Sequence, residues 1–315
     1  MKGKKGFRLI FMGTPQFAVP ALERLHASDF EVVAVVTATD KKGGRGQRQL
    51  LQSAVKKFAV QAGIPVLQPK NLKAPSFLEE LRAFEADLQV VLAFRMLPEV
   101  VWNMPPLGTV NLHASLLPKY RGAAPIHWAI INGEKTTGLT TFRLKHEIDT
   151  GDIIEQVEMP VDKDDTMGSL AIRMSQKGAD LLLSTVESLY QNTATFESQN
   201  MKVEAPSAPK IFFEDAKINF NQKTQKTYDF IRGMSPYPAA WTKIDDKIVK
   251  LYEVTPHFNM SDTIPGTIEE NNGQLMIHCR DGKIEIESLK VEGKKRLKAK
   301  DWLNGHQINS FTINE

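Results

Sequence analysis

The stretch Arg8-Leu9-Ile10-Phe11-Met12-Gly13-Thr14-Pro15 decides the fold of the N-terminal half. Its mostly apolar start predicts a buried strand, and the Gly-Thr-Pro turn leads into a helical pattern that ends near His26. A second apolar strand, rich in β-branched residues, follows at Glu31-Val32-Val33-Ala34-Val35-Val36. Strands that are apolar along their whole length are typical of parallel sheets covered on both faces, so this stretch predicts an α/β fold.

The same alternation continues to residue 190. Further strands are predicted at 64–66, 88–93 and 108–113, and helices at 50–61, 75–84 and 166–190. We therefore predict that residues 1–190 form a Rossmann-like, mostly parallel sheet with helices on both faces. Residues 38–48 show no periodicity and are rich in glycine and cations, which predicts a mobile loop.

The second half of the sequence has a different character. Residues 191–209 are rich in Asn, Thr, Ser, Pro and Ala, which is typical of a linker. After one amphipathic helix at 225–232, short strands separated by turn signals are predicted at 240–244, 248–252, 274–279 and 283–287. Residues 210–315 are therefore predicted to form a small antiparallel β-barrel of the oligonucleotide-binding type.

Composition excludes several classes of protein. The 315 residues are 42% hydrophobic and 24% charged, which is typical of a globular protein and not of a disordered one. No apolar run approaches the roughly 20 residues of a membrane-spanning helix. The basic N-terminus lacks the apolar region of a secretory signal, so we expect a cytoplasmic location.

Charge and cysteine content restrict the partners. A net charge of +3 permits a polyanionic partner without requiring one. The single cysteine, Cys279, cannot form an internal disulfide, and no motif has the spacing of metal ligands, so no metal is expected. Nothing in the sequence calls for an obligate protein partner or a membrane.

Asn111-Leu112-His113 is the first stretch that suggests chemistry. Residues two apart on a strand face the same side, and these two precede a loop at the carboxyl edge of a parallel sheet, where ligands bind. A buried histidine bonded to a backbone carbonyl is the competing interpretation. The loop that follows, 114–126, places two prolines, a glycine and two cations beside this pair.

A second candidate group is the turn His146-Glu147-Ile148-Asp149-Thr150-Gly151-Asp152. Its aspartates are either simple turn formers or, if the turn folds back over the strand, Asp149 becomes an acid–base partner of His113. An amide, an imidazole and a carboxylate without an evident nucleophilic Ser or Cys favour direct acyl transfer. Asn111 would stabilise the developing oxyanion, and His113 and Asp149 would handle protons.

Several of these stretches resemble the motifs of the methionyl-tRNA formyltransferase family, which uses formyltetrahydrofolate. They are Phe11-Met12-Gly13-Thr14-Pro15, 111–118, 120–126, 148–152 and, in the C-terminal part, Pro236-Tyr237-Pro238-Ala239-Ala240-Trp241. The resemblance covers nearly the whole chain. It implies transfer of the formyl group of 10-formyltetrahydrofolate to the α-amino group of methionine on initiator Met-tRNA, with Asn111, His113 and Asp149 at the catalytic positions.

The resemblance also implies positions for the folate. It places this co-substrate against Ser115, Leu116, Leu117 and Pro118, with the pterin ring near the segment after Ala93. That segment, Phe94-Arg95-Met96-Leu97-Pro98, departs from the family pattern. It is one residue shorter than usual, and Arg95 replaces a small residue.

For the tRNA, the resemblance implies a basic loop and a basic second domain. Arg45 matches the family's acceptor-loop arginine, and Lys41 and Lys42 lie on the same glycine-rich segment. Lys210 and the run Lys294-Lys295-Arg296-Leu297-Lys298-Ala299-Lys300 would contact phosphates of the acceptor stem. Composition alone favours a solvated charged loop for the first segment, and the run 294–300 also fits a solvated surface.

Two other functions stay open on these residues. One is a relative with the same catalytic core, such as a formyltetrahydrofolate hydrolase or a sugar N-formyltransferase. The C-terminal barrel and the basic loop argue against it. The other is a non-enzymatic RNA-binding module, which the intact set of Asn111, His113 and Asp149 argues against.

Overall fold

The computed structural model describes residues 4–43, 49–202, 204–259, 263–305 and 311–312. The chain divides into two compact units that exchange segments along the sequence. The first unit contains residues 1–121, 138–159 and 171–206, and the second contains residues 122–137, 160–170 and 207–315. Most of the segment expected to be a linker, up to residue 206, thus belongs to the first unit.

Strands and helices alternate over the first 190 residues. The strands are β1 Arg8–Gly13, β2 Glu31–Val36, β3 Lys41–Gly43, β4 Gln49–Leu51, β5 Val66–Leu67, β6 Leu88–Leu92, β7 Thr109–His113, β8 Arg121–Gly122, β9 Thr136–Arg143 and β10 Ile153–Pro160. The α-helices are α1 Val19–His26, α2 Ala54–Gln61, α3 Pro75–Ala83, α4 Glu99–Trp102, α5 Pro125–Ile131 and α6 Met167–Tyr190.

The main sheet has the strand order β10-β9-β7-β6-β1-β2-β5. Pairing is parallel from β7 through β5 and antiparallel between β7 and β9. The predicted mostly parallel α/β sheet is therefore confirmed. Its central strands are buried along their length, because helices such as α3 pack Phe77 and Leu81 onto the sheet.

This topology determines where side chains for a site collect. β1, β6 and β7 run parallel, so their carboxyl ends lie at one edge of the sheet. The register pairs Val91 of β6 with Asn111 of β7. The segment that follows β6 therefore lies beside the end of β7, where His113 is located.

Part of the segment 38–48, which was predicted to be a mobile loop without periodicity, forms regular structure. Residues Lys41–Gly43 pair with Gln49–Leu51 as a short antiparallel hairpin, while residues 44–48, including Arg45, lie outside the described ranges. The next helix begins at Ala54, later than predicted, because the Ser53 hydroxyl accepts a hydrogen bond from the Lys56 amide and caps it.

The base of this hairpin is held by a polar network. Lys56 Nζ contacts Asp40 Oδ2 at 2.6 Å and Gln68 Oε1 at 2.7 Å, and Gln68 Nε2 donates to Asp40 Oδ1 and the Ala38 carbonyl. The hydrogen bond from Lys56, followed by that from Gln68, lowers the pKa of Asp40. The network fixes the point where the hairpin leaves β2.

The C-terminal half is mainly antiparallel. Its elements are β11 Ser207–Ala208, α7 Thr224–Met234, β12 Ala240–Ile244, β13 Lys247–His257, β14 Thr267–Asn271, β15 Gln274–Cys279, β16 Gly282–Val291, β17 Leu297–Lys298, α8 Ala299–Leu303 and β18 Phe311–Thr312. The sheet order is β12-β13-β16-β15-β14-β18, with β17 paired to β16. The predicted antiparallel sheet is confirmed.

Helix α7 closes the core of the second unit. Its Ile231 and Met234 pack with Trp241, Leu251 and Ile277 of the sheet, all of them buried. No helix in the described part of the chain is long and apolar enough to cross a membrane.

Candidate active site

Asn111 and His113 lie on the same side of β7, as their spacing predicts. The His113 side chain is only 6% exposed, and its Nε2 lies 2.8 Å from the carbonyl oxygen of Tyr120. A carbonyl oxygen only accepts, so Nε2 carries a proton. In the neutral ring, Nδ1 is then the nitrogen with a free lone pair.

The turn between β9 and β10 does fold back toward this strand. Asp149 Oδ2 lies 3.8 Å from His113 Nδ1, and both side chains are almost completely buried. The distance is longer than a direct hydrogen bond. At this separation a carboxylate still stabilises a positive charge on the ring, because both groups are shielded from water.

Asn111 completes the group. It is half-buried, and β7 holds it opposite Phe142 of β9. Within the described residues, no hydrogen bond involves its side chain. Its amide N–H groups are therefore available to a bound molecule.

The ends of the Asp149 turn are also fixed. Asp149 has a φ of 54°, in the left-handed region. A Cβ at Gly151 would collide with the Arg143 carbonyl oxygen, so only glycine fits there. Lys145 Nζ at 2.7 Å and the Ser198 hydroxyl at 2.9 Å both donate to Asp152 Oδ1, and these bonds, Lys145 first, lower the pKa of Asp152.

Residues 115–118, predicted to contact folate, form the loop that leaves β7. The buried Ser115 hydroxyl donates to the Lys119 carbonyl, so it closes the loop. Thr140 Oγ1 donates to the Ser115 carbonyl and accepts from the Leu117 amide, and Gln156 Nε2 donates to the Leu117 carbonyl. Leu117 is buried, whereas Leu116 and Pro118 are half-buried. The loop is thus held by hydrogen bonds, and the side chains of residues 116–118 are apolar.

The unusual segment after β6 is also ordered. Ala93 has a φ of 49°, which turns the chain at the end of the strand. The Arg95 guanidinium donates to the carbonyls of Pro69 and Lys70 and lies over the Phe94 ring. The arginine that replaces a small residue is therefore held by the loop after β5.

The predicted tRNA-binding residues are distributed over both units. Lys41 and Lys42 are exposed on β3, and Arg45 lies beyond the described residues. Lys210 is exposed in the second unit, with Nζ 5.0 Å from the centre of the Phe212 ring. Within the run 294–300, Arg296 bonds Glu253 and Ser288 and lies over Tyr252, so this cation is used within its own unit.

Metal ligation and thiol chemistry find little support. Among the residues that the structure describes, no group of three or more His, Cys, Asp or Glu side chains could hold a metal ion. Burial raises the pKa of the Cys279 thiol to about 11, so the thiolate is scarce near neutral pH.

Sequence reasoning missed three groups around Asp149 and His113. They are the Tyr120 carbonyl, the Arg121 guanidinium and the Gln199 amide. Arg121 stood out only as a loop cation. Gln199 lies in the segment interpreted as a linker, and no local pattern marks a glutamine as buried.

Comparison with known proteins agrees with these observations. A family model described as formyl transferase matches residues 7–186, and one described as formyl transferase, C-terminal domain, matches residues 210–307. The chain is 45% identical over 320 residues to the methionyl-tRNA formyltransferase of Bacteroides fragilis, covering 98% of both proteins.

Two solved structures share the fold. HypX from Aquifex aeolicus in complex with tetrahydrofolic acid has a TM-score of 0.65 at 18% identity, covering 98% of this chain and 51% of that one. This chain therefore spans about half the length of HypX. An N-formyltransferase from Helicobacter canadensis in complex with folinic acid and dTDP-3-aminofucose has a TM-score of 0.67 at 24% identity, covering 89% of this chain and 98% of that one.

Proposed function

The chain belongs to the methionyl-tRNA formyltransferase family, and from that membership we propose that it transfers the formyl group of 10-formyltetrahydrofolate to the α-amino group of methionine on initiator Met-tRNA. The single observation that carries this proposal is that Asn111, His113 and Asp149 lie together in the first unit. The product, formylmethionyl-tRNA, would be used in translation initiation.

The roles of the three side chains follow from their surroundings. The methionine amine attacks the formyl carbon, and negative charge develops on the formyl oxygen. The Asn111 amide, which has no other partner among the described residues, donates to that oxygen. The amine loses a proton to His113 Nδ1, the nitrogen that the Tyr120 carbonyl leaves unprotonated.

Asp149 supports this proton transfer. The imidazolium formed on His113 has the Tyr120 carbonyl at one nitrogen and the Asp149 carboxylate near the other. The Tyr120 carbonyl accepts a hydrogen bond from the cation, and the Asp149 carboxylate stabilises its positive charge through space. His113 then returns the proton to the leaving nitrogen of the folate, which balances the reaction.

The donor's position is part of the proposal. The loop 115–118 and the turn at Ala93 flank the end of β7. The side chains of the loop 115–118 are apolar or bonded internally. The family resemblance implies the pterin ring near the segment after Ala93. We assign the folate to this edge and the pterin to the Ala93 side, with no metal required.

The acceptor's position rests on charge. Lys41 and Lys42 on β3, Arg45 in the sequence that follows it, and Lys210 in the second unit would bind tRNA phosphates. We expect the enzyme to work in the cytoplasm without an obligate protein partner, since Met-tRNA and folate suffice for the reaction.

The test is a formyl-transfer assay with four acceptors. The protein is incubated with 10-formyltetrahydrofolate and either Met-tRNA, an amino sugar nucleotide, water alone or uncharged tRNA. Formyl-methionine on tRNA is the expected product. Formate release without transfer would instead identify a hydrolase, a formylated sugar would identify a sugar N-formyltransferase, and no turnover would leave an RNA-binding module.

A further inference from the structure

Gln199 lies against the turn that carries Asp149, although it is 50 residues away in the sequence. Its side chain is buried, with 9% relative exposure. Gln199 Nε2 donates to the Asp149 carbonyl at 2.9 Å and to the Gly151 carbonyl at 2.8 Å. Gln199 Oε1 accepts from Arg121 Nε at 3.1 Å and from Arg121 Nη2 at 2.6 Å. The amide is thus fully bonded.

The chemistry of the partners determines the orientation of this amide. Guanidinium nitrogens only donate and carbonyl oxygens only accept. Rotating the amide by 180° would place its NH2 group against Arg121 and its oxygen against two carbonyls. Only the observed orientation satisfies every group. Arg121 and Gln199 therefore form a hydrogen-bonded pair whose orientation is fixed. Arg121 Nε also donates directly to the Asp149 carbonyl, 3.1 Å away.

The bonded carbonyls belong to a strained part of the turn. Asp149 adopts a positive φ, which a residue with a Cβ takes up only at some cost in free energy. The surrounding structure must compensate for that cost. Two hydrogen bonds on the Asp149 carbonyl and one on the Gly151 carbonyl hold the backbone in the conformation that directs the Asp149 carboxylate toward His113 Nδ1.

We propose that Gln199, held by Arg121, is a positioning residue for the reaction: it fixes the backbone of the Asp149 turn and thereby the distance from the carboxylate to His113. This inference rests on the proposed function. Gln199 itself would touch neither substrate, because both ends of its amide are used. Its loss should therefore slow the chemical step and leave substrate binding unchanged.

The test uses the full-length protein and steady-state formyl transfer to Met-tRNA. Gln199→Met preserves the length and removes all four hydrogen bonds, and Gln199→Glu keeps the acceptor for Arg121 but places a carboxylate against two carbonyls. Gln191→Glu makes the same chemical change at an exposed position and serves as the matched control. We expect kcat to fall by up to about 100-fold for Gln199→Met, and further for Gln199→Glu, as expected for a misplacement of about 1 Å.

KM for both substrates should stay within about twofold, and the melting temperature of each variant shows whether it is folded. A rise in KM with unchanged kcat would overturn the proposal, because it would place Gln199 in substrate binding. So would a normal kcat in both variants. Arg121→Met should lower kcat as much as Gln199→Met does if the two residues act as a pair.

A double-mutant cycle separates this inference from the proposed function. If Gln199 acts through Asp149, then Gln199→Met should add nothing to the loss caused by Asp149→Ala, measured under single-turnover conditions. Independent, multiplying losses would overturn the positioning role. If Asp149→Ala alone transfers formyl groups at the normal rate, Asp149 is not part of the mechanism and the positioning role is overturned with it. If the wild-type chain does not formylate Met-tRNA, the proposed function fails instead.

Discussion

His113 is held by a contact that gives its two nitrogens different tasks. The Tyr120 carbonyl fixes the proton on Nε2, and Tyr120 itself adopts a φ of 59° at the point where the loop returns to the strand. Nδ1 is then directed toward Asp149. A ring fixed in this way loses little freedom when it takes up a proton, which suits a general base.

We predict that His113→Ala and Asp149→Ala each lose most of their turnover while they keep their fold and tRNA affinity. The expected loss is on the order of 10²–10⁴ in kcat, since both residues serve proton transfer. Asn111→Ala should lose on the order of 10²–10³ through the missing oxyanion donor. Formyl transfer to Met-tRNA measures the loss, and His26→Ala, on the exposed end of α1, is the control. Near-normal activity in any of the three would remove that residue from the mechanism.

At this scale the sequence predicted the positions of Asn111 and His113 but not their support. Spacing of two on a strand specifies a shared face, so the pair was accessible to local reasoning. The contact between Asp149 and His113 was predicted only for the case in which the turn folds back over β7, and local sequence does not determine whether it does. Gln199 could not be found, because its burial depends on partners 48 to 78 residues away.

At the scale of elements, local sequence patterns predicted those strands that are mostly apolar and bounded by turn residues. The predicted strands at 240–244 and 274–279 match β12 and β15, since both are apolar stretches bounded by turns. β14 was missed because Glu269 and Glu270 interrupt its apolar pattern. The hairpin β3–β4 was missed because Lys41, Lys42 and Gly43 have low strand propensity, and cross-strand pairing with 49–51 outweighs it.

The hairpin segment provides a prediction about the acceptor. Arg45→Ala and Lys42→Ala should raise KM for Met-tRNA by a larger factor than KM for 10-formyltetrahydrofolate, because the proposed function assigns these cations to tRNA phosphates. Lys177→Ala, which removes an exposed cation from α6, is the matched control. A loss of folate affinity with unchanged tRNA affinity would show that the hairpin belongs to the folate side.

Helix α7 depends on a cap from outside the helix. Its N-cap residue, Lys223, provides no side-chain hydrogen bond, and Asp281 in the β15–β16 turn accepts from both the amide and the hydroxyl of Thr224. The bond from the Thr224 amide is the main cause that lowers the pKa of Asp281 below its usual 3.8. Asp281→Ala should destabilise the protein by about 1 kcal/mol at neutral pH.

The pH dependence of that effect follows from its sign. A carboxylate with a lowered pKa stabilises the folded state above its usual pKa, and this contribution disappears as the pH falls through the lowered value. The difference in unfolding free energy between wild type and Asp281→Ala should therefore be constant from pH 7 to about pH 4 and shrink in more acidic buffer. Asp281→Asn, which keeps an acceptor oxygen, should lose less stability at neutral pH, and its difference from wild type should also shrink in acid because the wild-type carboxylate is the group that titrates. A difference that grows in acid would contradict the capping role. Urea titration at each pH provides the measurement.

At the scale of the whole molecule, the chain passes between its two units more than once. Residues 122–137 and 160–170 belong with 207–315, and their contacts are specific. Buried Arg232 donates to the Asp165 carbonyl at 2.8 Å, the Gly168 amide donates to the Ser235 carbonyl, and Trp128 Nε1 donates to the Pro209 carbonyl. A fragment ending near residue 209 would leave most of these donors and acceptors without partners. The domain boundaries predicted at 190 and 209 follow composition, which does not show that segments before residue 190 belong to the second unit. Experiments on tRNA binding therefore need the full chain.

The net charge of only +3 makes the salt dependence of binding informative, because any strong electrostatic contribution must come from local clusters of cations. Each phosphate neutralised releases counterions, so the logarithm of tRNA affinity should fall linearly with the logarithm of salt concentration. Lys210→Ala should reduce the magnitude of that slope by about one, and folate affinity should hardly change with salt in either protein. The Lys177→Ala variant should keep the wild-type slope. An unchanged slope for Lys210→Ala, measured by filter binding of Met-tRNA across a salt series, would show that this lysine contacts no phosphate. The second unit would then have to bind tRNA through its other cations, of which Lys294, Lys295, Lys298 and Lys300 remain to be substituted in turn.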